Sequence, residues 1–180
     1  TSRNKYISVA AGSGTLSGTI SYTGTHPSSS TVLVAVWNGT QADQQPLLVV
    51  NAAGSNPWTY SFSGLSNGTY AVLSILDVKG TDEPEPGFPI SDPLQAVVSN
   101  GAGTANMALS DPVRNASISG TIYRSGAVAG PVIVALTIGK GAAITTFVTS
   151  GVAPWSYSFN NIYPWRFGYE IQAFKDKNSN

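Results

Sequence analysis

The sequence predicts an all-β protein in which two antiparallel β-sandwich domains follow one another. Two observations predict this fold: short strand-like segments are separated by turn residues, and a set of these segments occurs twice in the same order. A third observation agrees with them, because no stretch shows the 3.6-residue period of an amphipathic helix.

The individual strands are predicted by side-chain alternation and by apolar runs. In TYSF, residues 59–62, the aromatic side chains point to one face of a strand and the hydroxyl-bearing side chains point to the other. The run TVLVAVW at 31–37 is almost continuously apolar, which is typical of a strand inside a sandwich. Asn-Gly pairs at 38–39 and 67–68 supply turns between such strands.

Four blocks of sequence recur at a nearly constant spacing and divide the chain into two repeats. The pairs are SGTI at 17–20 and 119–122, VLVA at 32–35 and VIVA at 132–135, PWTYSF at 57–62 and PWSYSF at 154–159, and GTY at 68–70 and FGY at 167–169. An aspartate, Asp77 or Asp176, follows seven positions after the tyrosine in both repeats. The same strands in the same order predict two domains of one fold, with a boundary near 110–114.

Composition argues against several classes of function. Charged residues make up only 10% of the chain, and nine Lys and Arg balance nine Asp and Glu. Without a basic surface, no nucleic-acid partner is expected. No apolar run reaches the length of a membrane span, so none is expected. One His, no Cys and no nucleophile motif leave no catalytic constellation, and we do not expect an enzyme.

A family resemblance adds to this interpretation. The segments LSGTISYTG, VLVAVWNG and YSFSGLSNGTYAVLSILDVKG resemble the transthyretin-like, carboxypeptidase-regulatory-like group of Ig-like β-sandwiches. The resemblance extends over residues 14–90 and 116–180 and implies an Ig-like fold for each repeat. It also implies an extracellular or cell-surface location, because such domains are common in bacterial and archaeal surface proteins. The first residue is Thr1 rather than Met, which indicates that a leader was removed.

An acidic loop follows the GTY strand, and the resemblance implies the loop pattern D-x-[DN]-x-[DN]-G. Five of the nine acidic residues lie between 77 and 92, and oxygen-rich loops of this kind suit Ca²⁺. Lys79 departs from the pattern, so the alternative is a solvated acidic turn. The candidate calcium ligands are Asp77, Asp82, Glu83, Glu85, Asp176, Asn178 and Asn180. No other cofactor is expected.

Glycans enter the predictions in two ways. Asn38, Asn67 and Asn115 each begin an Asn-x-Ser/Thr sequon and are candidate glycosylation sites, although the first two also belong to Asn-Gly turns. The recurring aromatic residues of the PW blocks suit either a sugar-binding platform or a sandwich core. Trp165 has no counterpart in the first repeat and is a candidate exposed contact.

The second repeat lacks a counterpart of the last strands of the first repeat. Strands are expected at 94–98 and 105–109 in the first repeat, whereas the second repeat stops at Asp176–Asn180. A sandwich without those strands exposes an apolar groove and an unpaired strand edge, which favours aggregation. We therefore expect a strand from elsewhere to complete the second domain.

The N-terminal segment is the predicted donor of that strand. The donor-strand residues are Tyr6, Ile7, Ser8, Val9, Ala10 and Ala11, of which Ile7, Val9 and Ala11 share the apolar face of an extended chain. The glycines of the segment 12–14 suit a hinge. The expected organisation is a donor strand with its hinge at 1–14, a first Ig-like β-sandwich at 15–112 and a second, incomplete one at 113–180.

These predictions lead to a structural subunit of an extracellular, pilus-like filament. Addition of the N-terminal strand of one copy to the second domain of the next is a head-to-tail contact that does not close on itself. Such contacts build open filaments, so the expected partner is another copy of this chain. The alternative is a tandem Ig-like segment of a monomeric surface adhesin or glycan-binding protein, for which glycans are the partner.

Overall fold

The computed structural model describes residues 12–27, 30–39, 46–124, 131–138, 143–149 and 153–175. All regular structure in these ranges is β-strand, as the sequence predicts. These ranges hold no helix that is long and apolar enough to cross a lipid bilayer. Contacts divide the described residues into two units: the first comprises residues up to Pro84 with Phe88–Pro112, and the second comprises Glu85–Gly87 with residues from Val113 onward.

The described residues of the first unit form eight strands in two sheets. The strands are β1 (Gly14–Thr23), β2 (Thr31–Asn38), β3 (Leu48–Asn51), β4 (Trp58–Leu65), β5 (Gly68–Asp77), β6 (Leu94–Val98), β7 (Ala102–Thr104) and β8 (Met107–Ser110). One sheet contains β4, β1 and, beside β1, β7 and β8; the other has the order β3-β2-β5-β6. Leu16 and Ile20 of the first sheet pack with Val34 of the second in one buried cluster, which gives a β-sandwich-like architecture.

The second sheet of the first unit is buried on both faces. Its outer face holds a separate cluster in which Trp37 and Leu73 pack with Phe88. The backbone that carries Phe88 is attached to β5, because the Leu76 N–H donates to the Pro89 carbonyl at 2.9 Å. Burial on both faces explains why β2 and β5 have continuous apolar sequences rather than alternating ones.

The sequence predicts antiparallel pairing throughout, and this prediction is wrong at one sheet edge. β6 pairs with β5 antiparallel, but β7 and β8 pair with β1 in parallel. Between β6 and β7 the chain turns at Asn100 and Gly101, whose φ angles of 51° and 80° lie in the left-handed region. Because the chain changes sheets at this turn instead of forming a hairpin within one sheet, it continues in the same direction as β1.

The described residues of the second unit form five strands. They are β9 (Ala116–Ile122), β10 (Val132–Thr137), β11 (Thr145–Thr149), β12 (Trp155–Ile162) and β13 (Glu170–Lys175). β9 pairs with β12, and β10 lies between β11 and β13, with every pair antiparallel. Val134 and Leu136 of the larger sheet pack with Phe159 of the smaller sheet in one buried cluster. The second unit is therefore also built of two sheets around an apolar core.

The two units share the same strand framework and the same register. Ile20 lies opposite Trp58 in the first unit, and Ile122 lies opposite Trp155 in the second. Register in a sheet with one buried face is set by which residues face the core. The repeated sequence blocks therefore carry a repeated register, and each position in the second unit can be compared with its counterpart in the first.

Candidate functional site

The candidate site is the pair of strand edges in the second unit that correspond to the closed edges of the first. In the first unit β6 covers the edge of β5, with Tyr70 opposite Ala96. β7 and β8 cover the edge of β1, with Leu16 opposite Gly103 and Ile20 opposite Met107. These three strands complete both sheets of the first unit.

The closing strands of the first unit are held by core side chains and by backbone hydrogen bonds. Met107 and Leu109 are buried in the main cluster together with Ala105. The Ala105 N–H donates to the Ser17 carbonyl at 3.0 Å, and the Ala105 carbonyl accepts the hydroxyl of Tyr60 at 2.6 Å. Burial raises the pKa of Tyr60, so this hydroxyl keeps its proton and remains a donor.

The corresponding edges of the second unit have no strand partner among the described residues. β9 pairs only with β12, and β13 pairs only with β10. β9 is the counterpart of β1, and β13 is the counterpart of β5. The edges that β6, β7 and β8 cover in the first unit are thus the ones left open in the described part of the second.

The open edges change the burial of matched residues. Val72 of β5 is 0% exposed, whereas its counterpart Ile171 of β13 is 39% exposed. Along β9, the apolar positions Ile118 and Ile122 are half-buried, although the matching positions of β1 are fully buried. Apolar side chains that face an incomplete core favour the addition of a further strand.

The outer face of β13 is also uncovered. Phe174 is 49% exposed, whereas its counterpart Ile75 is 8% exposed beneath the cluster that contains Phe88. All residues of β13 except Lys175 are exposed. The second unit therefore presents apolar surface at one strand edge and on one strand face.

The predicted donor strand lies outside the described residues. Its residues are Tyr6, Ile7, Ser8, Val9, Ala10 and Ala11. The predicted hinge is partly within the described chain, and the structure places it against the first unit. The Gly12 N–H donates to the Gly64 carbonyl at 3.1 Å, and β1 already begins at Gly14. A side chain at Gly12 would meet the Leu65 carbonyl, so the close approach requires glycine for space.

The structure places the carboxylate of Asp77 at the centre of its loop. Its Oδ1 accepts the backbone N–H groups of Lys79, Gly80 and Thr81, and its Oδ2 accepts that of Asp82, at distances of 2.8–3.2 Å. The side chain is buried, so these four hydrogen bonds satisfy a desolvated carboxylate. They occupy the oxygens that a cation would need.

The other predicted calcium ligands are not brought together with Asp77 in the described part of the loop. No group of three or more His, Cys, Asp or Glu side chains in the described ranges could hold a metal ion. Asp82 and Glu83 are exposed, and Glu85 is half-buried and belongs to the second unit by its contacts. Asp176, Asn178 and Asn180 lie outside the described residues. Calcium binding stays a prediction for both loops.

The three candidate glycosylation sites have different environments. Asn38 is exposed at the end of β2, and the Thr40 of its sequon lies outside the described residues. The Asn67 side-chain oxygen accepts the Gly101 N–H at 3.2 Å, which gives this residue a role in the turn before β7. Asn115 is exposed immediately before β9.

Sequence reasoning missed a polar cluster at the end of the first unit. The Tyr22 hydroxyl donates to Asp111, and the backbone N–H and the hydroxyl of Thr25 each donate to the other Asp111 oxygen at 2.8 Å. His26 Nε2 lies 3.7 Å from the same carboxylate. The Tyr22 hydrogen bond lowers the pKa of Asp111. The signal is weak in the sequence because Asp111 lies 89 residues from Tyr22.

Aromatic residues form a half-exposed group in the second unit. The rings of Trp165 and Phe167 meet edge to face with centroids 5.1 Å apart, and Phe167 is exposed. The Arg114 guanidinium lies 4.6 Å from the ring centroid of Tyr163, within cation–π range. By contrast, the tryptophans of the two PW blocks are buried and belong to the cores.

The comparison between the two units carries the interpretation of this site. Its strongest feature is a set of matched strands whose edges are covered in one unit and uncovered in the described part of the other. No protein-family model, curated protein or solved structure matches this chain.

Proposed function

We propose that this protein is a structural subunit of an extracellular, pilus-like filament that grows by strand addition. In this proposal the N-terminal strand of one copy pairs with the open edges of the second unit of a neighbouring copy. The contact is head to tail and leaves one free donor and one free acceptor at the ends of every assembly. It therefore propagates as an open homopolymer.

The open edge of β9 is the observation that carries the proposal. Its counterpart β1 is covered along its length by β7 and β8, and two apolar side chains of β8 are buried there. The same edge in the second unit has half-buried apolar side chains and unpaired backbone groups among the described residues. An edge of this kind is a template for an added strand.

The donor segment of a second copy supplies the chemistry that this edge needs. Its apolar face holds Ile7, Val9 and Ala11, which alternate with Tyr6, Ser8 and Ala10. Each aliphatic side chain that becomes fully buried contributes about 1.5–3 kcal/mol. The backbone hydrogen bonds add direction and register to this apolar gain. Since Gly12 is attached to the first unit, the hinge of our proposal lies before Gly12.

The repeated register also supports a common fold for the two units. We propose that both are Ig-like β-sandwiches of the transthyretin-like, carboxypeptidase-regulatory-like group and that the second is completed by the donor strand. Domains of this kind suit the cell surface, because their edge pairing can transmit load along a fibre. The resemblance of the sequence segments points the same way.

Assembly of variants tests the proposal. Deletion of 1–11, or Ile7→Asp together with Val9→Asp, should leave subunits that form no fibres in negative-stain electron microscopy and sedimentation. The matched control places the same charges on the opposite face, as Ser8→Asp together with Ala10→Asp, and should still assemble. If the deletion variant forms the same filament as the full chain, the strand-addition proposal is wrong.

A second candidate function has its own supporting observation. The exposed Phe167 beside Trp165 offers an aromatic surface on which a sugar ring can stack. A full chain that stays monomeric and binds immobilised glycans, with loss of binding in Trp165→Ala, would favour the monomeric adhesin. A fibre-forming chain without glycan binding would favour the filament.

A further inference from the structure

We infer that Gly120 and the Tyr157 hydroxyl receive a backbone carbonyl of the incoming strand, and that this strand runs parallel to β9. The inference rests on the proposed function and adds the direction, the register and the residues that set both. It follows from a matched pair of contacts, one complete in the first unit and one incomplete in the second.

The complete contact is the Ala105 carbonyl between Gly18 and Tyr60. The Tyr60 hydroxyl donates to this oxygen at 2.6 Å. A side chain on Gly18 would collide with the same oxygen, because its Cβ would lie only 1.8 Å away. Gly18 therefore provides the space, and Tyr60 provides the donor, for one carbonyl of the strand that closes β1.

The second unit contains the same two residue types in the same register. Gly18 lies opposite Tyr60, and Gly120 lies opposite Tyr157. A Cβ on Gly120 would lie 2.6 Å from the Tyr157 hydroxyl oxygen and would meet no part of a closing strand. Tyr157 makes an aromatic contact with Phe159, but its hydroxyl has no hydrogen-bond partner among the described residues. The glycine space and the donor are present without the carbonyl.

The first unit also indicates the direction of the missing strand. Positions 15–17 of β1 pair with 102–104, and positions 20–23 pair with 107–110, so one parallel register continues through Ala105. Since β9 and β12 reproduce the register of β1 and β4, a strand that places its carbonyl over Gly120 in the same way runs parallel to β9.

Side-chain size selects the register of the donor. The residue over Gly18 is an alanine that is 2% exposed, so the space above the glycine holds only a small side chain. Among the donor residues on the apolar face, Ala11 alone is an alanine. We therefore place Ala11 over Gly120, which puts Val9 beside Ile118 and Ser8 beside Ser117.

The hydroxyl and the glycine are tested by the critical concentration for assembly of the full-length chain. Tyr157→Phe removes only the donor and should raise the critical concentration roughly fivefold to tenfold. Gly120→Ala places a methyl group where the carbonyl must sit and should raise it by more than this. Thermal unfolding of the unassembled Tyr157→Phe subunit should be unchanged, because the hydroxyl has no described partner to lose.

Tyr60→Phe is the matched control. It removes the same hydroxyl from the complete contact within one chain, so it should lower the melting temperature of the subunit and leave the critical concentration unchanged. A Tyr157→Phe variant that assembles at the wild-type critical concentration, or that melts as much lower as Tyr60→Phe does, overturns the inference.

Direction is tested by cross-linking between copies, which is clean because the chain contains no cysteine. Ser8→Cys with Ser117→Cys should cross-link within fibres through a short bis-maleimide. Ser8→Cys with Thr121→Cys should not, because four residues of strand separate these positions by about 13 Å. Preferential cross-linking to position 121 overturns the parallel register.

The outcomes separate this inference from the proposed function. Fibres that depend on residues 1–11 but ignore Tyr157→Phe and Gly120→Ala retain the filament proposal and overturn the carbonyl site. A full-length chain that forms no fibres, or fibres that persist without residues 1–11, overturns both.

Discussion

The first and second units carry the same strands in the same register, yet they bury matched residues to different extents. In the first unit β5 is buried along most of its length between β2 and β6. In the second unit the matching strand β13 has one partner among the described residues and is exposed along most of its length. The difference teaches that burial in these units depends on the strands added at the edges rather than on the strands that recur.

The comparison also shows what an edge strand contributes. β8 adds Met107 and Leu109 to the core of the first unit, and each well-buried side chain of this size contributes about 1.5–3 kcal/mol. The corresponding contribution is absent from the described part of the second unit. We therefore expect the second unit to be the less stable one in an unassembled chain and to gain stability when a strand is added.

The largest expected effect comes from giving the second unit the strands of the first. Appending a copy of residues 81–110 after Asn180 should close both edges and stabilise the second unit by about 3–6 kcal/mol. Such a chain should also stop assembling, because its acceptor is filled. Differential scanning calorimetry and sedimentation measure the two effects. The same extension with aspartate at the positions of Met107 and Leu109 is the control and should do neither.

A matched pair of cavity variants tests the difference in burial directly. Ile20→Ala removes a fully buried side chain and should lower the free energy of unfolding of the first unit by about 3 kcal/mol. Ile122→Ala removes its half-buried counterpart and should lower that of the second unit by about 1 kcal/mol. Hydrogen exchange resolved by peptide assigns each loss to its unit. Equal losses in the unassembled chain would show that β9 is already covered.

Calcium offers a comparison between the two acidic loops. Four backbone amides already occupy the Asp77 carboxylate, so we expect any Ca²⁺ stabilisation to survive Asp77→Ala in part and to disappear in Asp176→Ala. At ten times the dissociation constant, a bound ion stabilises by about 1.4 kcal/mol. Melting curves with Ca²⁺ and with chelator measure this shift. An unchanged melting temperature in the wild-type chain removes calcium from the account.

The smallest expected effect is a pH dependence confined to the first unit. The Tyr22 hydrogen bond lowers the pKa of Asp111 in the folded state, so the carboxylate contributes stability that is present above its ordinary pKa of 3.8 and lost as the pH falls through the folded value. The effect is small because the group is partly exposed. Asp111→Asn should flatten the acid side of the melting profile of the first unit. The second unit has Arg124 at the position of Tyr22 and serves as internal control.

Much of the strand framework was predictable because the signals are local or repeated. Alternation and apolar runs predict the strands, and the PW and SGTI blocks predict that β12 and β9 pair as β4 and β1 do. A full framework followed from one sequence because the second copy states the same pattern again. The candidate site was predicted as an edge, since the second repeat shows no counterpart of β6 to β8 before residue 176.

The sequence by itself determined where the strands lie, that they recur and which of them lack counterparts, because periodicity and repetition are properties of neighbouring residues. Only the tertiary structure decided how those strands meet. The parallel pairing of β7 and β8 with β1, the four amides around Asp77 and the Tyr22–Asp111 contact all depend on space shared by distant or folded-back segments. The same is true of the glycine and hydroxyl that await a carbonyl at Gly120, because hydrogen bonding and steric fit act between atoms that chain order does not place together.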